Sequence, residues 1–72
     1  MTDEYSTTDL ARICRVSEQT ARRYAVDGRI AHRTTPGGHY RFTVGAVQEF
    51  MTRHGMPAEW MAEYDTARST GD

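Results

Sequence analysis

Residues 16–28 read Val-Ser-Glu-Gln-Thr-Ala-Arg-Arg-Tyr-Ala-Val-Asp-Gly, and this stretch decides the fold. Ser17 is a strong helix N-cap type, Glu18 places a carboxylate at the positive end of the helix dipole, and Gly28 can take the left-handed conformation that ends a helix. The signals predict a helix over 18–27. Ala21, Tyr24 and Ala25 recur at i, i+3 and i+4 on one face, and the two alanines are small enough to admit a neighbouring helix closely. Gln19, Arg22, Arg23 and Val26 fall on the opposite face. The glutamine and the two arginines on that face carry hydrogen-bonding groups suited to base edges, arginine for guanine and glutamine for adenine.

Upstream, Ser6, Thr7 and Thr8 offer N-caps ahead of the apolar pattern Leu10, Ile13, Cys14, which predicts a helix over about 8–14. Arg15-Val16 is then the turn. Two helices joined by so short a connection, the second strongly basic, form a helix-turn-helix pattern. Downstream, residues 29–34 read as a strand with Ile30 inward. Thr35-Pro36-Gly37-Gly38 reads as a turn, and residues 39–42 as the return strand with Tyr40 and Phe42 on one face and His39 and Arg41 on the other. Thr43 caps a helix over 44–54, with Val44, Val47, Phe50 and Met51 apolar at helical spacing. Pro57 opens a last helix over about 57–67, and 69–72 reads as a frayed tail. The expected architecture is mostly α with a small β-hairpin wing, a winged helix-turn-helix in the order helix, helix, strand, strand, helix, helix. It is one domain over 1–72, with its core over about 6–54.

The formal net charge is −1, yet its distribution is uneven. Residues 11–42 carry Arg12, Arg15, Arg22, Arg23, Arg29, Arg33 and Arg41 against Glu18 and Asp27, a local excess of +5, while both ends are acidic. A phosphate backbone feels the local field and not the total. All nine basic residues are arginines, which suit bidentate contact with phosphate or guanine. The apolar runs fall far short of the roughly 20 residues a membrane helix needs. The first ten residues are acidic and polar, unlike a secretory leader, so a cytoplasmic protein is expected. Cys14 is the only cysteine and reads as a small buried thiol. Cys14, His32, His39 and His54 match no standard zinc spacing, and neither a nucleophile–base pairing nor a P-loop is present, so no metal, cofactor or catalytic residue is expected.

Residues 10–51 resemble the helix-turn-helix half of the MerR superfamily, in particular its short excisionase-like and BldC-like members. The matching residues are Ser-Thr-Thr-Asp-Leu-Ala (6–11), Val16-Ser17, Thr20, Arg23-Tyr24, Gly28-Arg29-Ile30 and, above all, Thr-Pro-Gly-Gly-His-Tyr-Arg-Phe (35–42). The resemblance implies a recognition helix in the major groove of double-stranded DNA and a wing in the adjacent minor groove or on its phosphates. It also implies head-to-tail self-association on direct repeats, and a role as a transcription regulator or as an excisionase that bends DNA for an integrase. Neither a long dimerisation helix nor a small-molecule effector site is expected. Tyr40 stands where relatives carry arginine, so that wing contact is either lost or moved to Arg41. Thr34 also stands where many relatives carry arginine; its neighbour Arg33 is basic, but successive strand residues point to opposite faces, so Arg33 does not simply take its place.

The candidate DNA-binding residues are thus Gln19, Thr20, Arg22, Arg23 and Tyr24 on the recognition helix and Gly37, Gly38, His39 and Arg41 on the wing. Arg12, Arg15, Arg29 and Arg33 are candidate phosphate contacts. Several read two ways. Gln19 is a base reader or a surface residue, Tyr24 a phosphate contact or a core ring, and His39 a phosphate donor or a hairpin cap. Trp60, Met61 and Tyr64 either pack the last helix onto the core or form a stripe for a protein partner. That last option supports a rival reading, a protein-interaction module using the acidic C-terminal helix.

Overall fold

The computed structural model describes residues 4–70, with side chains through residue 67. The chain runs β1 (Glu4–Tyr5), α1 (Thr7–Cys14), α2 (Glu18–Val26), β2 (Arg33–Thr34), β3 (Tyr40–Thr43), α3 (Val44–Arg53) and α4 (Glu59–Thr70). Helix starts follow the local chemistry. Ser6 and Asp9 form a reciprocal capping box at α1, in which the Asp9 amide donates to Ser6 Oγ and the Ser6 amide to Asp9 Oδ2. Ser17 accepts from the Thr20 amide at α2, and Thr43 from the Ala46 amide at α3.

The fold class is the winged helix-turn-helix expected from the sequence, with corrections at the edges. The first is β1, a strand that the sequence pattern did not indicate. It pairs antiparallel with β3 in the register Glu4–Thr43 and Tyr5–Phe42, so the sheet has three strands in the order β1-β3-β2. The second concerns the wing. Instead of a strand over 29–34, only Arg33–Thr34 pairs with β3, in the register Arg33–Arg41 and Thr34–Tyr40. The chain after Gly28 is taken up by the exit from α2, with Arg29 N–H bonding back to the Tyr24 carbonyl. Ile30 is nonetheless buried, as expected. The return strand begins and ends one residue later than the pattern suggested, at Tyr40–Thr43. Third, α4 starts at Glu59, two residues past Pro57, and continues through Thr70, so residues 69 and 70 of the expected tail are helical. Residues 71 and 72 of that tail lie outside the described residues.

One cluster forms the core, built from Leu10, Ile13 and Cys14 of α1, Ala21 and Ala25 of α2, Phe42 of β3, and Val47, Phe50 and Met51 of α3. Tyr5 and Met61 close it from the two ends of the chain. Burial pushes the Cys14 thiol up to about 11, so it stays protonated at neutral pH. Helix α4 lies against α1 and β1. Tyr5 Oη donates to Asp65 at 2.8 Å, and Tyr64 Oη donates to Asp9, the capping-box residue. Trp60 and Tyr64 are half-buried against the core, so packing accounts for most of that aromatic stripe.

Candidate nucleic-acid interface

The turn between α1 and α2 sets the site. The chain leaves α1 through Arg15 in the left-handed conformation, φ 58° and ψ 44°, a position glycine usually fills. With Val16 N–H bonded to the Ala11 carbonyl, α2 is swung onto α1 across the small faces of Ala11, Ala21 and Ala25. Tyr24 then packs its ring on Phe50 of α3, 4.9 Å between centroids. The core-facing side of α2 is thus spent on packing, and Gln19, Arg22, Arg23 and Val26 are left in solvent. Val26 is 62% exposed on that face.

The wing is a tight hairpin. Gly38 N–H bonds to the Thr35 carbonyl and Thr35 N–H to the His39 carbonyl, with Pro36 at the second turn position. Gly38 carries the positive φ, +81°, and Gly37 does not. Gly37 serves differently: a Cβ there would meet the His39 ring at 3.2 Å. Glycine at this position lets the imidazole lie over the hairpin tip.

Between α2 and the wing lies a groove of about 690 Å³. Its lining includes Glu18, Gln19 and Arg22 from the first turns of α2, Gly38, His39, Tyr40 and Arg41 from the wing, and the hydroxyl residues Ser6, Thr7 and Thr8 at the start of α1. Five of the sequence-predicted residues, Gln19, Arg22, Gly38, His39 and Arg41, therefore line one concavity. A second, shallower depression of about 390 Å³ on the neighbouring side of α2 gathers Thr20, Arg23, Tyr24 and Arg29 with Asp27. Arg22 and Arg23 thus serve adjacent surfaces, because consecutive helical residues diverge by about 100°. Arg12 is exposed on α1 and lines neither.

The acidic ends of the chain sort the arginines. Arg33 makes a bidentate pair with Glu4 at 2.7 Å, across the sheet face that also carries Arg41 and Thr43. The bonded Arg33 guanidinium holds the Glu4 carboxyl below the usual carboxylate range, and the charge of Arg41 adds to this. Arg15 pairs with Glu63 of α4 at 3.0 Å and stacks over Trp60, 4.5 Å from the ring centroid. Arg29 lies 3.9 Å from Asp27. Among the described residues, Arg12, Arg22, Arg23 and Arg41 enter no ion pair. The unpaired cations include those beside the groove, whereas Glu4 of β1 and Glu63 and Asp65 of α4 are bonded elsewhere. The sequence reading missed the groove-lining role of Glu18, Ser6, Thr7 and Thr8. Their spacing from the caps was visible, but the meeting of the α1 N-terminus with the wing was not.

Two short elements, a basic exposed helix presented by a tight turn and a glycine-tipped hairpin beside it, define a DNA-binding protein of the winged helix-turn-helix class. The chain belongs to the helix-turn-helix domain family, whose model matches residues 4–55. That span begins at β1 and ends before α4. No curated protein and no solved structure matches the chain significantly. Among the described residues, no group of three or more His, Cys, Asp or Glu side chains is placed to hold a metal ion, and no helix is long and apolar enough to cross a membrane.

Proposed function

We propose that this protein is a sequence-specific double-stranded DNA-binding regulator of transcription, akin to the short BldC-like members of the MerR superfamily. The observation that carries the reading is the groove in which Arg22 and Gln19 of α2 face Arg41 and His39 of the wing, with both arginines unpaired among the described residues. Helix α2 enters the major groove, where Gln19 and Arg22 reach base edges and Thr20, Arg23 and Tyr24 reach the flanking phosphates. The wing sets the register through Arg41 and His39, and the backbone at Gly37 and Gly38 permits close approach to the duplex. Arg12 and Arg29 add phosphate contacts at the periphery. Arg15 and Arg33 contribute only by exchanging their carboxylate partners for phosphate.

The backbone extends over 30 × 28 × 21 Å, comparable with the roughly 34 Å of one DNA turn, which supports a spacing of about one turn between successive copies. A single module of this kind buries only about 600–1,000 Å², which supports cooperative binding on direct repeats. Selection from a random duplex pool, followed by footprinting, tests the reading. The expected result is a defined half-site repeated in tandem, with affinity falling steeply with salt as counterions compete for the phosphates. Equal affinity at 50 and 200 mM salt, or no enriched sequence, overturns it. An excisionase acting with an integrase would instead yield a strongly bent complex at a recombination site.

A further inference from the structure

We propose that Glu18 is a specificity-determining residue that reads the N4 amino group of a cytosine in the major groove. This rests on the DNA-binding reading above and assigns a base to a residue that reading leaves out. Glu18 is the first residue of α2 and lines the groove beside Gln19 and Arg22, the position from which a recognition helix reaches base edges. A carboxylate at this helix start suits the helix dipole but repels phosphates, so on a DNA-facing surface the favourable contact open to it is a base-edge donor.

The local geometry shows what kind. Arg22 is four residues on, the spacing at which a glutamate and an arginine on one helix pair readily. Glu18 nevertheless forms no ion pair among the described residues. It takes a hydrogen bond from Thr8 Oγ1 to Oε2 at 3.1 Å instead, which ties it to α1 across the mouth of the groove and leaves Arg22 unpaired. Held in this way, the carboxylate has Oε1 left as an acceptor and no donor to offer. Among the bases, cytosine presents a lone amino donor to the major groove. Adenine sets the N7 acceptor beside its N6 donor, guanine offers N7 and O6, and thymine offers O4. An acceptor-only side chain is repelled by the last two and partly by adenine, and it matches cytosine.

The test selects binding sites from a random duplex pool for the wild type and for Glu18→Ala, Glu18→Gln and Thr8→Val, with circular dichroism melts confirming that each variant folds. The wild type should enrich a cytosine at one position of the half-site. Glu18→Ala should lose about five- to hundred-fold of that preference while binding non-cognate duplex more tightly, because a negative charge has gone. Glu18→Gln, nearly isosteric, should shift the preference towards adenine, whose N6 and N7 suit an amide. Thr8→Val, which keeps the charge but frees it, should weaken the preference. If Glu18→Ala and Glu18→Gln keep the wild-type preference at every position, Glu18 does not read a base, and the DNA-binding reading stands. If the wild type itself shows no sequence preference, the sequence-specific reading above falls, and the role of Glu18 falls with it.

Discussion

At the scale of single residues, the arginines divide by what they touch. Arg15 and Arg33 are held by carboxylates 48 and 29 positions away, whereas Arg22 and Arg41 share a groove with no carboxylate bonded to either. Arg22→Ala should therefore cost about 1–3 kcal/mol of cognate binding and relax one base-pair position. Arg33→Ala should change binding much less, and a shift titration of the two variants side by side reads the difference. If they lose equal affinity, charge alone governs binding and the groove is irrelevant. Cys14 supplies a second residue-scale expectation. Its thiol pKa, raised to about 11 by burial, lies above the ordinary value near 9. The unfolded chain therefore releases that proton first, and stability should fall as pH climbs from 9 towards 11. At pH 8, iodoacetamide should label the native thiol far more slowly than the urea-unfolded one, with mass spectrometry following the adduct.

At the scale of elements, caps and turns do the positioning. The wing tip depends on Gly38 at φ +81°, where nothing lies within 4 Å of an added Cβ. Gly38→Ala should thus meet backbone strain and no clash, costing about 1–2 kcal/mol. A lower melting temperature together with weaker DNA binding is expected. An unchanged melt would mean that the hairpin tip relaxes freely. The same logic explains which element boundaries the pattern located. The starts of α1, α2 and α3 lie within a residue of expectation because Ser6, Ser17 and Thr43 cap amides only three positions ahead. The left-handed Arg15 offered no such signal. Arginine is an ordinary helix residue, and its left-handed conformation goes with the tight turn that lays α2 on α1, where the Val16 amide bonds to the Ala11 carbonyl.

At the scale of the whole molecule, α4 works as a strap. It lies beyond the family match, which ends at residue 55, yet it buries Met61 and bonds back to β1 and to the α1 cap through Asp65 and Tyr64. A chain of 72 residues has little core to spare, so this strap should carry a noticeable part of the stability. Tyr64→Phe removes a hydrogen bond to a carboxylate and should cost about 1.5–3 kcal/mol. Chemical denaturation measures that loss. DNA affinity of the folded variant should stay near wild type, since α4 lines neither depression of the candidate interface. A large drop in affinity without a stability loss would instead support a role for α4 in the complex or in binding a protein partner.

The two helices, their caps, the wing turn and the basic stretch between acidic ends could all be read from the chain, because each depends on neighbours within about one helical turn or one hairpin. What needed three dimensions was the pairing of distant segments. The strand Glu4–Tyr5 is too short to show alternation and exists only because β3 offers it an edge. The strand expected over 29–34 shrank because the exit from α2 consumed its first residues. Which arginines stay unpaired depends on where the carboxylates of β1 and α4 land. Those ion pairs span dozens of residues, and no local rule relates one end of such a pair to the other.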